Sequence, residues 1–253
     1  MPLILLLAAG FFLTALLYAS VGFGGGSTYA ALLAIAGTDH RVLPLIALAC
    51  NIVVVAGATI RFARAGITPW KPALLLTALA APAAFVGGLV PIEREAFLLL
   101  LGASLVLTAL TMLIPVKEEA GEGPGEGTQT RWGKAMPFVA APIGFLAGLV
   151  GIGGGIFLAP LLHLTRWKGA REIAATASLF ILVNSAFGLA GQLLKNGPAM
   201  FAGAMVEALP LLLAVVIGGQ IGSLMAVRVL PGQWIRWLTA VLVLFVGLRL
   251  LFV

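Results

Sequence analysis

The sequence predicts an all-α polytopic membrane protein made of two inverted repeats, each a glycine-rich re-entrant or broken helical segment plus three transmembrane helices, about eight hydrophobic segments in all. Three observations predict it. Hydrophobic residues form 61% of the 253 positions and charged residues 9%, with a mean hydropathy of +1.14, whereas soluble domains carry about 45–50% apolar residues. The charges are gathered into short clusters separated by apolar runs close to the roughly 20 residues of a spanning helix. A glycine cluster occurs twice, as Gly22-Phe-Gly-Gly-Gly26 and Gly151-Ile-Gly-Gly-Gly155. Each glycine costs a helix about 1 kcal/mol relative to alanine, so both clusters read as breaks in membrane helices.

The first glycine cluster lies in the segment Leu3 to Ala36. That segment would extend about 51 Å as one helix, against a hydrocarbon core of about 30 Å, so a re-entrant hairpin with its tip at Gly22 to Gly26 is expected. Its non-helical backbone must be buried in protein or line a cavity. Residues 1–19 lack a basic leading region, so they are expected to belong to the mature fold and not to a secretory signal. The apolar runs Val42 to Ile60, Pro72 to Val90 and Ala96 to Val116 complete the first repeat, residues 1–116. Residues 117–135, rich in glycine and glutamate, form a solvated linker. The second repeat, 136–253, contains the second glycine segment and the runs Ile173 to Leu194 and Trp237 to Leu248. Gly66 and Gly197 are 131 apart, as are Gly87-Gly88 and Gly218-Gly219, and the glycine clusters are offset by 129.

Charge counting sets the orientation. If each glycine segment crossed once, the two sides would carry seven and eight Lys/Arg. If both enter and return on one side, Arg61, Arg64, Lys71, Lys117, Arg131, Lys134, Arg166, Lys168, Arg171, Arg228 and Arg236 face Arg41, Arg94, Lys195 and Arg249, eleven against four. The positive-inside rule then puts the linker in the cytoplasm and both termini outside. Three full crossings per half make the repeats inverted, as in many secondary transporters.

In such a pair the two tips meet near the midplane. Each precedes a short helix, about Ser27 to Ala36 and Ile156 to Leu164, whose first turn offers free N–H groups and the positive end of the dipole. Two N-termini facing one cavity form an anion site without a buried cation. The candidate substrate-binding residues are Gly22, Gly24, Gly25, Gly26, Ser27, Thr28 and Asn51 in the first half. In the second they are Gly151, Gly153, Gly154, Gly155, Thr176, Ser178 and Asn184. The plainer alternatives are close helix packing for the glycines, which needs only two per motif, and interhelical hydrogen bonding for Asn51, Thr176, Ser178 and Asn184. Glu207, the single acid well inside an apolar run, is a candidate proton carrier, although a solvated or hydrogen-bonded carboxylate near the interface is the simpler reading. His163 and the basic residues around it suit a cytoplasmic mouth. Trp70, Trp132, Trp167, Trp234 and Trp237 adjoin the charge clusters as interfacial anchors.

Several function classes are disfavoured. The net charge of +6 follows the loop bias and forms no soluble basic face for nucleic acid. One cysteine, Cys50, leaves no intrachain disulfide or cysteine metal cluster. No nucleotide-binding phosphate loop, zinc motif or nucleophile–base pair is present, so neither an enzyme nor a bound cofactor or metal is expected. The expected partners are a small anion, the lipid bilayer and a coupling proton or other ion, and a homodimer is compatible with the glycine-rich faces.

Gly151-Ile-Gly-Gly-Gly-Ile-Phe-Leu-Ala-Pro160 and Ala175-Thr-Ala-Ser178, with the matching first cluster, resemble the sulfite exporter TauE/SafE family, also called the toluene sulfonate uptake permease superfamily. The resemblance covers nearly the whole chain. It implies a bacterial inner-membrane transporter, expected to export sulfite, an organosulfonate or a related small anion by alternating access. An anion channel using the same helix N-termini, and a carrier of a non-sulfur organic anion, are the alternatives. The first half departs from the family pattern: Ser27-Thr-Tyr-Ala-Ala31 replaces an apolar run ending in proline, and Ala49-Cys-Asn51 stands roughly where an Ala-Thr-Ser element would be.

Overall fold

The computed structural model describes residues 2–21, 23–113, 131–165, 167–225 and 232–252. Among these, the chain folds into eleven α-helices: α1 (Pro2–Val21), α2 (Gly26–Ile35), α3 (Leu43–Arg64), α4 (Trp70–Leu89), α5 (Arg94–Leu113), α6 (Arg131–Val150), α7 (Gly155–Leu164), α8 (Ala170–Asn196), α9 (Pro198–Glu207), α10 (Leu209–Met225) and α11 (Gly232–Leu251). No strand occurs among the described residues. Within α3, α4, α5 and α8 lie stretches long and apolar enough to cross a membrane, and α9 with α10 qualifies as a bent pair.

Local chemistry sets the boundaries. Pro44 stands in the first turn of α3, where its missing N–H costs nothing, and Arg61 and Arg64 close the last turn against the negative end of the dipole. At the start of α8, the Glu172 carboxylate accepts the Gly169 N–H at 3.3 Å and pairs with Lys168 at 3.0 Å. α9 and α10 meet at an angle of 64° across Ala208. Pro210 accounts for the break, because it has no N–H for the carbonyl four residues back and its ring collides there. The sequence pattern concealed this bend inside one continuous apolar run.

Each glycine cluster joins a long helix to a short one. α2 folds back along α1: Phe11 stacks on Tyr29 with ring centroids 4.7 Å apart, Gly10 faces Leu32, and Thr14 faces Gly25. In the second half, Gly154 returns against Ile143 and Ala147, and Leu158 and Leu162 share a buried cluster with Met136 and Ala140 of α6.

The halves interlock by close backbone contact. Gly218 and Gly222 of α10 lie against the carbonyls of Phe12 and Leu16 of α1, and Gly144 and Gly148 of α6 lie against those of Ala80 and Ala84 of α4. At all four positions a Cβ would collide with backbone, the small-residue packing of membrane helices. These seams exchange when the halves are exchanged. α3 and α8 run antiparallel, with Leu48 beside Gly188 and Asn51 level with Ser185. Around this core, Leu74, Leu75, Leu79, Leu213, Ile217 and Phe245 are exposed. Such apolar outer faces suit lipid and not water.

Candidate functional site

The centre of the molecule is built by backbone conformation before any side chain acts. Gly25 (φ 87°) and Gly154 (φ 76°) are the N-caps of α2 and α7, both left-handed, and Gly151 (φ 85°) and Gly153 (φ 76°) share that region. An L-residue is strained there, so these glycines are required by the turns. Neither cap is filled by a side chain, leaving the first N–H groups of both short helices open at the tips.

The two tips meet at Asn51. A Cβ on Gly24 would stand 2.7 Å from Asn51 Oδ1, and one on Gly153 would stand 2.6 Å from Asn51 Nδ2 and 3.0 Å from Ser185 Oγ. Gly26 also abuts the Asn51 amide and faces the Ile152 carbonyl, where a Cβ would lie at 2.7 Å. Ile181 reaches Gly24, Gly153 and Gly155. One amide from α3 therefore bridges both glycine clusters.

That amide is fully buried, and neither Oδ1 nor Nδ2 has a hydrogen-bond partner in the protein. The same holds for both polar atoms of Asn184 and for the hydroxyls of Ser27 and Ser185. Leaving one such group unpaired costs about 1–3 kcal/mol. Single unpartnered hydroxyls occur elsewhere at Thr59, Thr68 and Thr108, whereas the Asn51 amide and the Ser185 hydroxyl both face Gly153, and the unpartnered Tyr29 hydroxyl lies beside Gly25.

The other expected residues divide. Thr28 bonds with Tyr18 across the hairpin at 3.1 Å, so it supports the first tip. Gly151 packs on Pro44 at the start of α3. The Thr176 hydroxyl donates to the Glu172 carbonyl at 2.8 Å and that of Ser178 to the Ala175 carbonyl at 2.9 Å, so both are satisfied by their own helix. Glu207 is exposed at the α9–α10 break, whereas the tip residues Gly24 to Ser27 and Gly151 to Gly155 are buried. Gly22 and residues 117–130 of the linker lie outside the described residues, and residues 131–135 form the start of α6.

Known proteins match this chain along its length. The family model for sulfite exporter TauE/SafE covers residues 6–250. The chain belongs to the TauE/SafE family. It is similar to the probable membrane transporter protein y4hK of Sinorhizobium fredii, 34% identical over 251 residues that cover 97% of each chain. It is also similar to the probable membrane transporter protein YunE of Bacillus subtilis, 22% identical over 240 residues, 85% of this chain and 78% of that one. No solved structure matches it. The chain is thus a membrane transporter of the TauE/SafE family.

Within this TauE/SafE protein, sequence reasoning missed Ser185 and Gln192. Gln192 Nε2 donates to the carbonyls of Gly148 and Leu149 at 3.0 and 3.3 Å, which satisfies the end of α6 just before the second tip. Ser178, Ser185 and Gln192 recur every seven residues, a polar stripe on one face of α8 that could have pointed to both.

Proposed function

We propose that this TauE/SafE protein carries a small sulfur-containing anion, such as sulfite or an organosulfonate, outward across the bacterial inner membrane by alternating access. The observation that supports this most is the unpartnered, fully buried Asn51 amide between two glycine tips whose helix N-termini are uncapped. Helix N-termini supply N–H donors and positive potential, and Asn51 Nδ2, Ser27 and Ser185 add neutral donors, so charge is met without a buried cation. Ser27 has no hydroxyl counterpart at Ile156, which makes the cradle asymmetric.

In the closed state Asn51 fills the gap between the tips. An ion enters when one hairpin parts from it, and parting the other releases the ion to the opposite side. Antiparallel α3 and α8, with seams that exchange between the halves, support two inverted repeats as the moving units. Closure of the centre at both ends favours a carrier over a channel. The linker is cytoplasmic in this reading, with both termini outside.

The test is flux in proteoliposomes of purified protein, comparing sulfite, thiosulfate, sulfoacetate, sulfate and chloride with and without a pH gradient. Saturable movement of a sulfur anion that Gly24→Leu or Gly153→Leu lowers at least about tenfold is expected, since either side chain must displace Asn51. No flux of any sulfur anion through folded protein overturns the substrate class. If Glu207 carries a coupling proton, Glu207→Gln removes the pH response; an unchanged response assigns coupling elsewhere.

A further inference from the structure

A cavity of about 300 Å³ lies where α3 begins and α8 ends. Its walls include His40 and Arg41 from the α2–α3 connection, Pro44 of α3, Leu149 of α6, and Lys195 and Asn196 of α8. It adjoins the glycine centre: Leu149 is two residues before Gly151, and a Cβ on Gly151 would stand 2.6 Å from Pro44 Cα. Half-buried Lys195 donates to the Val90 carbonyl at 3.2 Å, and no carboxylate pairs with Lys195 or Arg41 among the described residues. The acids at this end do not line the cavity: Asp39 is held by His40 at 3.2 Å and by the Arg41 N–H at 2.9 Å, and Glu93 and Glu95 stand outside the walls.

We propose that this cavity is a separate binding site for small sulfonate-type oxyanions, a vestibule at the mouth that the charge count puts outside, where an exported anion is held on leaving the two-tip site. Its role in transport rests on the function proposed above; its binding chemistry does not. Two cations and the Asn196 side chain supply the polar contacts, and Pro44 and Leu149 offer apolar surface to a short organic tail. A concave site walled by one sign of charge raises the local concentration of counter-ions.

Charge-selective labelling tests the vestibule without any flux assay. Met200 also lines the cavity. Met200→Cys, in a Cys50→Ser background in lipid nanodiscs, is reacted with sulfonatoethyl methanethiosulfonate and with its trimethylammonium analogue, each rate divided by that with a free thiol. The normalised preference for the anionic reagent should be at least about tenfold. It should fall toward one in Arg41→Gln and Lys195→Gln and persist in Arg94→Gln. Methanesulfonate should slow the anionic labelling saturably. Equal normalised rates in the parent protein, or labelling indifferent to methanesulfonate, overturn the proposal. Selective, protectable labelling in a protein that moves no sulfur anion leaves the vestibule and sinks the transport reading. Sulfite flux with unselective labelling does the reverse.

Discussion

Asn51 carries the sharpest residue-scale consequence. Asn51→Asp keeps the shape of the side chain but places a carboxylate against two uncapped helix N-termini, which favour negative charge by about 0.3–2 kcal/mol. The variant should therefore lose at least about tenfold of its anion flux, because the carboxylate occupies the place of the substrate. Flux within about twofold of the parent's would show that the anion does not bind at this position. Thr176→Ala and Ser178→Ala should change flux less than about twofold, since both hydroxyls are returned to their own helix. The glycines and Asn51 were legible in the sequence because they violate a strong local rule, a break or an amide in an apolar run. Whether a hydroxyl turns to its own carbonyl or toward a neighbouring helix leaves no such mark, which is why Thr176 and Ser178 entered the candidate set and Ser185 did not.

At the scale of elements, the seams decide stability. Gly148→Leu drives a side chain into the Ala84 carbonyl and should destabilise the fold by about 1–3 kcal/mol or more, read as a lower unfolding temperature. Gly203→Ala, in α9 with nothing within 4 Å, should be neutral or stabilising by up to about 1 kcal/mol. Similar unfolding temperatures for the two variants would remove the close-packed seam. The hairpins were legible from length alone, as Leu3 to Ala36 exceeds one crossing and falls short of two. The α9–α10 bend was not, because Pro210 sits among leucines and alanines whose hydropathy reads as a single span.

For the whole molecule, the charge asymmetry of eleven against four forecasts that cysteines placed in the α3–α4 connection label from the cytoplasm and those placed at Thr38 label from outside. The reverse pattern would invert the transport direction assigned to each mouth. A repeated unit was readable from matched glycine spacings, while the way the halves interlock, α1 on α10 and α6 on α4, was not, since pairing between distant helices depends on shape that composition does not encode. The most direct measurement is labelled-sulfite counterflow in proteoliposomes preloaded with unlabelled sulfite, comparing the parent protein with Asn51→Asp. The two-tip site predicts transient accumulation of label above the outside concentration in the parent and none in the variant. Equal accumulation in both, or movement without counterflow, would contradict a carrier whose anion binds between the tips at Asn51.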